Sequence, residues 1–376
     1  MKIPHLLAFH HLSVLSFLCP LLLPLFFFCP TSSSGQAPVL RYKFSGSFPT
    51  QMSTHEGGGL RAQGIAVDGN GAIFITARGE GIAQFDSQGK YHGTFGYPDP
   101  EDERFGVDQN GNPATNTEMT FGQRASLRSA DGKPFVIMPD AKTLAIQGHL
   151  FDPRQVRVNG GQVSAIDAVT GWLQTWSSEG LCSYFPIPTA NGGYQKYVGF
   201  AYGKGTAGVG PSFYVLNSGA RSISLISPDL KLVKTFGGPG SGAGQLSGPS
   251  CFATGLATGK QQTLLFVGDG TRVMVYGADG TFLYSFGTPG EKPGQFTNIT
   301  VIVYYKSGHV FVLEGSRLQV FDETGHYLGL VADRQSDGSA AGRAAALNYA
   351  DAVAVDISET IYLVDQTQVK IYKRLP

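Results

Sequence analysis

Five histidines follow residue 37 and are the first candidates for chemistry in this chain: His55, His92, His149, His309 and His326. A catalytic zinc site needs several histidine or acidic side chains that converge and leave one coordination position open. None of the five histidines falls on an innermost strand of the repeat described below, so convergence is disfavoured and we expect no zinc. A calcium ion held by backbone carbonyls and one acid leaves no sequence trace and is compatible with the chain.

No arrangement of residues predicts a nucleophile or a phosphate-binding loop. A Gly-x-Ser-x-Gly elbow needs a strand that turns into a helix, and the chain offers no such place. The glycine-rich run Gly237–Gly244 lacks the Lys-Ser/Thr ending of a phosphate loop and is typical of a linker. Asp68, Asp269, Asp356 and Asp365 each close a predicted strand, where aspartates usually hydrogen-bond the following turn. We predict that these four carboxylates are structural.

These residues are positioned by a repeated unit of short strands. Glycine, at 51 of 376 residues, cuts the apolar runs into segments too short for helices. Three units close on Phe-Gly, at Phe95, Phe236 and Phe286. The first unit has four strands, at Gly64–Asp68, Ile73–Thr76, Ile82–Asp86 and Tyr91–Gly96. Further units begin with inner strands at Gly199–Tyr202, Cys251–Thr254, Val301–Tyr305 and Ala352–Asp356.

The second unit is the weakest copy of the repeat. Its four strands are predicted at Ala125–Ser129, Pro134–Met138, Val163–Asp167 and Trp172–Trp176. An insertion near residues 139–161 then separates the second strand from the third. It has the pattern of a hairpin of its own, through Thr143–Gln147 and Gln155–Val158. Counted in this way the chain has six units, and it has seven if the insertion is a unit of its own.

The last unit has three strands, and a spare strand stands near the start of the chain. Tyr42–Phe48 repeats the pattern of the fourth strand Tyr91–Phe95, and no fourth strand follows Val369–Lys373. If the first strand completes the last sheet, the sheets form a closed ring without an open edge. We therefore predict an all-β fold, a six-bladed β-propeller of four-stranded antiparallel blades with seven blades as the alternative.

In such a ring, the segments that lead into the inner strands surround one mouth of the central channel, where ligands gather. Arginine's planar fork suits a carboxylate or phosphate, and the other side chains suit a small polar ligand or a peptide end. The alternative is that they line a wet channel without a ligand. The predicted ligand-binding residues at this mouth are Arg61, Gln63, Arg124, Tyr197, Thr300, Tyr349 and Asp351.

The repeat resembles the NHL-repeat family. The resemblance is carried by an inner strand such as Gly64–Asp68, an Asn-Gly turn, a second apolar strand, a third strand ending in Phe-Asp, and a closing Phe-Gly. It covers most of the chain after residue 37 and is weak between Glu118 and Thr235. It implies a propeller that acts as an interaction module or a ligand binder. It also admits enzymes such as peptidyl-hydroxyglycine lyases, and the related gluconolactonase-like and strictosidine synthase-like propellers.

Residues 1–37 have the pattern of a secretory signal peptide. Lys2 is their only charge, Leu6–Phe28 is dominated by Leu and Phe, and small or polar residues follow. Of the 28 Lys and Arg, 27 then remain beside 28 Asp and Glu, so the chain after residue 37 is close to neutral. It lacks the excess of basic residues that binding to nucleic acid or to an anionic membrane needs. Cys182 and Cys251 remain after cleavage, and their pairing is left open.

We therefore predict a propeller over residues 38–376, secreted to the extracellular space or the periplasm and not inserted in a membrane. The favoured role is a binding module for an extracellular protein or a small polar molecule. The alternatives are a channel-mouth enzyme of lyase or hydrolase type and a metal-free auxiliary cyclase-like protein. Catalysis is left open by the sequence. In a eukaryotic source, Asn298 would be a glycosylation acceptor at the channel mouth.

Overall fold

The structure is a computed structural model. Its strands end at glycine-rich turns, as the sequence predicts. The described residues are 40–50, 62–77, 81–96, 104–107, 113–115, 150, 152–159, 161–168, 171–177, 180–187, 197–203, 212–247, 264–336 and 338–376. Within these ranges no helix has the length and apolar character needed to cross a membrane.

Among the described residues, six antiparallel sheets of three or four strands are the blades of a β-propeller. The chain begins with β1 (Tyr42–Pro49), which belongs to the last blade. Blade 1 contains β2 (Ala62–Val67), β3 (Ile73–Ala77), β4 (Gly81–Phe85) and β5 (Tyr91–Phe95). A short antiparallel pair follows, β6 (Arg104–Val107) and β7 (Pro113–Thr115). Blade 2 contains β8 (Pro153–Asn159), β9 (Gln162–Asp167), β10 (Trp172–Ser177) and β11 (Gly180–Pro186).

The next two blades continue the pattern. Blade 3 contains β12 (Tyr197–Tyr202), β13 (Phe213–Asn217), β14 (Ser222–Ile226) and β15 (Leu232–Gly237). Blade 4 has three described strands, β16 (Leu264–Asp269), β17 (Arg272–Gly277) and β18 (Phe282–Phe286). Its predicted inner strand, Cys251–Thr254, lies outside the described residues. A short parallel pair then leads into blade 5, β19 (Thr288–Pro289) and β20 (Gln295–Phe296).

The last two blades close the ring. Blade 5 contains β21 (Val301–Tyr305), β22 (His309–Leu313), β23 (Leu318–Phe321) and β24 (Tyr327–Ala332). One short helix, α1 (Ala340–Ala345), precedes blade 6. Blade 6 contains β25 (Ala350–Val355), β26 (Ile361–Asp365) and β27 (Gln368–Arg374), with β1 as its fourth strand. The residues that the structure describes therefore form six blades, as favoured from the sequence, rather than the alternative seven.

The predicted circular closure is confirmed by the pairing of β1 with β27. The two strands are antiparallel, with Tyr42 opposite Arg374 and Phe48 opposite Val369. The register shifts once, between Phe44 and Gly46. The first strand of the described chain thus covers the edge that β27 would otherwise expose, which removes the hazard of an unpaired strand.

The predicted strands of blade 2 are wrong by one position in the sheet. Gln155–Val158, predicted as part of a hairpin in the insertion, lies in the inner strand β8. Val163–Asp167 is therefore the second strand and Trp172–Trp176 the third, while β11 supplies the fourth. The reason is the turn that follows Asn159. Asn159 pairs directly with Gln162, and a two-residue loop makes its flanking strands neighbours. The segments predicted at Ala125–Ser129, Pro134–Met138 and Thr143–Gln147 lie outside the described residues.

The hydrophobic core is divided among the six contacts between neighbouring blades. Each contact buries an apolar cluster, so every blade is held on both sides and the ring is stiff. The clusters, in order from the contact of blades 1 and 2 to the contact of blades 6 and 1, include Phe74 and Trp176, Ile166 and Phe200, Leu216 and Met274, Phe266 and Val312, Phe311 and Val353, and Ile75 and Val364.

The repeated phenylalanine at the end of a fourth strand packs on the next blade. A Cβ atom added to Gly280, which has φ +81°, would lie 2.5 Å from the ring of Phe236. Gly89 meets Phe48 in the same way, at 2.4 Å. The aromatic ring therefore occupies the space of the missing side chain in the neighbouring turn, and glycine also tolerates the positive φ.

Candidate binding site at the leading mouth of the channel

Four inner strands share a β-bulge at the same position near their start. The register shifts between Ala62 and Gly64 in β2, and the equivalent shift occurs in β8, β12 and β25. A bulge leaves one residue outside the regular pairing and redirects its side chain, and it is common beside functional sites. We call the end of the channel where the inner strands begin the leading mouth. The bulged residues there are Gln63, Arg154, Val198 and Asp351.

Three of the bulged residues are polar and come from consecutive blades. Strand β2 packs between β25 and β8, so Gln63 lies between Asp351 and Arg154 around the leading mouth. The strands approach closely, because a Cβ atom on Gly64 would lie 3.0 Å from the backbone nitrogen of Val156. All three polar side chains are half-buried. The fourth bulged residue, Val198, is fully buried in the core between blades 3 and 4.

Arg154 is held in place by a buried acidic network. Its Nη2 donates to Oδ2 of Asp152 at 2.7 Å, and the two side chains are 15% and 4% exposed. The backbone nitrogen of Asp152 donates in turn to Oδ2 of Asp167, also at 2.7 Å. The guanidinium is therefore oriented before any ligand arrives.

Polar contacts between blades 2 and 3 stiffen the strand that carries Arg154. The backbone nitrogen of Phe200 donates to Oε1 of Gln155 at 2.6 Å, and the hydroxyl of Tyr202 donates to Oγ of Ser164 at 2.7 Å. Burial lowers the pKa of Arg157 to about 10, so its guanidinium stays charged at neutral pH. Burial also raises the pKa of Tyr202, which therefore remains a neutral hydroxyl.

Gln63 has a side-chain acceptor at the leading mouth that no described residue uses. Its Oε1 is buried and accepts no hydrogen bond from any residue that the structure describes. A buried polar atom without a partner costs roughly 1–3 kcal/mol. A ligand that donates a hydrogen bond to this oxygen would recover that cost.

The other predicted mouth residues have structural contacts. Thr300 donates from Oγ1 to the carbonyl of Leu313 at 3.1 Å, which ties the start of β21 to β22. Tyr197 is buried between blades 2 and 3, and burial raises its pKa. Tyr349 is 41% exposed, and its backbone nitrogen donates to Asp365 at 2.8 Å. Asn298 is exposed, while Arg61 and Arg124 lie outside the described residues.

Arg154 is the residue that sequence reasoning missed at this mouth. The sequence predicted Ala125–Ser129 as the inner strand of blade 2 and therefore named Arg124, the residue before it. The inner strand is β8. The available signal was the alternation through Val156 and Val158 and the Asn-Gly-Gly turn that follows. That pattern predicts two paired strands, and its first strand begins beside Arg154.

Carboxylates at the ends of second strands hold the segments that enter the inner strands. Ser247 donates its backbone nitrogen to Asp269 at 2.9 Å, and Thr297 donates to Glu314 at 2.7 Å. Asp365 accepts the equivalent bond in blade 6. Asp269 and Asp365 are therefore structural as predicted. Both hold the incoming segment, and Asp269 also accepts from the side chain of Arg272, just after the following turn.

The remaining two predicted aspartates do hold the turns that follow them. Oδ1 of Asp68 accepts the backbone nitrogens of Asn70 at 2.9 Å and Ala72 at 2.7 Å. Oδ1 of Asp356 accepts the nitrogens of Ser358 and Thr360, both at 2.8 Å. The prediction of a structural role is confirmed for both residues, since each fixes the hairpin that leaves an inner strand.

Three of the histidines lie in the described ranges, and each pairs with an acid. His92 contacts Asp86 at 3.2 Å, and His326 contacts Asp322 at 3.1 Å. Across the described ranges no group of three or more His, Cys, Asp or Glu residues is placed to hold a metal ion. The predictions about zinc and calcium stay predictions.

His309 joins a serine and a glutamate, but not as a catalytic relay. Its Nδ1 lies 2.5 Å from Oε1 of Glu359 and 2.9 Å from Oγ of Ser307. In a serine–histidine–acid relay the serine and the acid contact opposite ring nitrogens. Because both partners share Nδ1 here, the cluster acts as a brace between blades 5 and 6.

The opposite end of the channel contains a cavity of about 480 Å³. We call this end, where the inner strands finish, the trailing mouth. Blades 1, 2, 5 and 6 all contribute to the cavity wall. Its lining is Val67, Asp68, Gly69, Asn70, Val158, Gly161, Tyr305, Lys306, Val355, Asp356 and Ile357.

Comparison with known proteins supports the fold and leaves the family open. No protein-family model and no curated protein sequence matches this chain. A streptogramin B lyase structure is similar, with TM-score 0.52 and 10% identity over 88% of this chain and 98% of that chain. The WD40 β-propeller domain of Doa1 is similar with TM-score 0.50 and 13% identity over 88% and 96%. At such identities the similarity shows the propeller fold alone, and membership of the NHL-repeat family stays a hypothesis.

Proposed function

We propose that this chain is a secreted NHL-type propeller that binds a small polar molecule or the end of a peptide at its leading mouth. The single observation that carries the proposal is the shared bulge near the start of three neighbouring inner strands, at Asp351, Gln63 and Arg154. A bulge redirects the side chain that it displaces, so the same bulge in neighbouring blades supports a site where three polar side chains converge, and convergent polar groups in a concave site suit a ligand.

The three side chains offer complementary chemistry. The fork of Arg154 suits a carboxylate, the carboxylate of Asp351 suits an ammonium or amide N–H, and Oε1 of Gln63 accepts one further hydrogen bond. A peptide terminus or an amino acid contains both kinds of group. The rigid ring supports this role, because groups held in position before binding lose little freedom when the ligand arrives.

Secretion is part of the proposal and is supported by the pattern of residues 1–37. Expression of the full chain in a secreting host tests it. We expect the exported protein to begin between Ser34 and Pro38, as read by terminal sequencing. Retention of Leu6–Phe28 in the mature product would contradict the proposal.

Binding is tested with glycylglycine as the probe, by saturation-transfer NMR with the purified protein. We expect saturable binding that weakens roughly tenfold in Asp351→Asn and in Gln63→Leu, because each loses one charge-assisted or buried hydrogen bond. Asp229→Asn is the matched control, since it removes an exposed carboxylate on the rim of blade 3. Equal binding by all three variants would overturn the assignment to the leading mouth.

The same experiment separates binding from the alternative hypotheses. A channel-mouth lyase or hydrolase, or an auxiliary cyclase-like protein, would convert a probe rather than only hold it. New resonances that grow with time in the presence of the protein would favour an enzyme. A stable probe with saturable binding would favour the binding module.

A further inference from the structure

The trailing mouth is a second, separate place on the channel. Asp68 follows the end of β2, whereas Gln63 lies at its start, so the two mouths are a strand length apart. The cavity there, of about 480 Å³, is large enough for a small organic group. Nothing in the proposed function uses it.

Two carboxylates in this cavity are fixed in orientation by their own turns. Asp68 and Asp356 each use Oδ1 to accept two backbone N–H groups. Oδ2 of Asp356 accepts a long bond of 3.3 Å from the hydroxyl of Tyr362. Oδ2 of Asp68 has no hydrogen-bond partner within the described part of the chain. The cavity therefore presents acceptor oxygens that are already in position.

The rest of the wall is apolar and aromatic. Val67, Val158 and Val355 line the cavity, and the side chain of Ile357 is 60% exposed beside it. The hydroxyl of Tyr305 donates to the carbonyl of Ile357 at 2.6 Å, which bridges blades 5 and 6. This bond holds the phenol ring in the wall.

The charge balance of the cavity favours a cation. Lys306 is the one basic residue in its described lining, and Nζ lies 6.0 Å from the centre of the Tyr305 ring. The described lining thus contains one ammonium and two carboxylates, and the side chain of Lys306 already places an ammonium over the Tyr305 ring. An anionic ligand would be repelled by both carboxylates. A bare metal ion has no apolar group to contact the valine wall.

We propose that the trailing mouth binds a primary alkylammonium group. The ammonium would donate to the carboxylates of Asp68 and Asp356 and lie near the face of Tyr305, while its alkyl chain would contact the valine wall. Such a group occurs in free diamines and in lysine side chains, and both share this chemistry.

The test is calorimetric titration of the purified protein with butylammonium. We expect saturable binding, weakened roughly tenfold in Asp68→Asn and in Asp356→Asn, because each loses a charge-assisted bond. Asparagine keeps the side-chain oxygen that accepts the two turn N–H groups, so these variants are expected to fold. Lys306→Gln is expected to strengthen binding, since it removes the competing ammonium.

Asp86→Asn is the matched control. Its Oδ1 also accepts two backbone N–H groups, from Gln88 and Lys90, but it lies in an outer turn of blade 1. Binding must therefore be unchanged in this variant. The proposal is overturned if butylammonium shows no saturable binding, or if Asp68→Asn and Asp86→Asn behave alike.

Two further probes separate the sources of the group. Tighter binding of putrescine than of N-acetyl-lysine-methylamide supports a free diamine, and the reverse order supports a lysine side chain. The Gln63→Leu and Asp351→Asn variants are expected to bind butylammonium normally. Failure at the trailing mouth is thus distinguishable from failure of the proposed function at the leading mouth.

Discussion

The hydroxyl of Tyr42 donates to Oε1 of Glu359 at 2.9 Å, although 317 positions separate the two residues in the chain. Tyr42 lies in β1 and Glu359 in the first turn of the same blade, so the bond fastens the strand that closes the ring. Nδ1 of His309 and Nη1 of Arg374 contact the same carboxylate, at 2.5 and 2.9 Å. One buried carboxylate therefore joins the closing strand to blades 5 and 6.

Tyr42→Phe removes one bond from this carboxylate and keeps the aromatic ring. We expect the free energy of unfolding to fall by about 1.5–3 kcal/mol, because the hydrogen bond is made to a charged group. Urea denaturation measures it. Tyr91→Phe is the control, since its hydroxyl contacts only the nearby exposed Thr94 and its loss is expected to change little. Equal losses in the two variants would contradict the role of Tyr42 in closure.

Glu359 is expected to make the stability of the ring depend on pH. Burial raises its pKa, but the bonds from His309, Tyr42 and Arg374 outweigh burial and hold the pKa below its usual value of 4.5. A carboxyl with a lowered pKa stabilises the fold above the unfolded value, and this contribution disappears as the pH falls through the folded value. The advantage of the natural protein over Glu359→Gln is therefore expected to shrink below about pH 4.5. Thermal unfolding across that range measures it, and a constant difference would refute the assignment.

Glu314→Ala is expected to destabilise blade 5 strongly. Glu314 is buried and accepts bonds from Thr297, Arg317 at 2.5 Å and Gln319 at 3.1 Å. Its removal leaves a guanidinium without its carboxylate, which costs on the order of 3 kcal/mol or more for a buried pair. Denaturant titration measures the loss. Asp229→Ala breaks an exposed pair with Lys231 and is expected to leave stability unchanged.

Gly280→Ala separates the cost of a positive φ from the cost of a clash. Its added methyl would meet the ring of Phe236 at 2.5 Å, whereas Gly294, with almost the same φ of +80°, has no atom within 4 Å. We expect Gly280→Ala to lose about 1–3 kcal/mol more than Gly294→Ala, because overpacking adds to the backbone strain. Paired thermal denaturation tests this. Equal losses would show that Phe236 moves aside freely.

The sequence predicted the fold well because the repeat pattern depends on interactions between residues that are close together in the chain. Turns such as the one held by Asp68 depend on residues within a few positions of each other, so their pattern can be read directly. The match between Tyr42–Phe48 and Tyr91–Phe95 predicted the pairing of β1 with β27. That long-range contact could be predicted because a closed ring requires a fourth strand in the last blade. Blade 2 failed since its repeat pattern is weak and the turn after Asn159 was read as part of an insertion.

By itself, then, the sequence determined the circular closure and, outside blade 2, the described strands and turns, because strand periodicity and turn chemistry are properties of neighbouring residues. Only the tertiary structure decided that Gln63, Arg154 and Asp351 occupy equivalent bulges in consecutive blades. A bulge is a property of the register between two strands, and a shared mouth is a property of the ring. The sequence placed Gln63 and Asp351 at this mouth, but the shared bulge and the position of Arg154 beside them were seen only in the structure, because both depend on strand register.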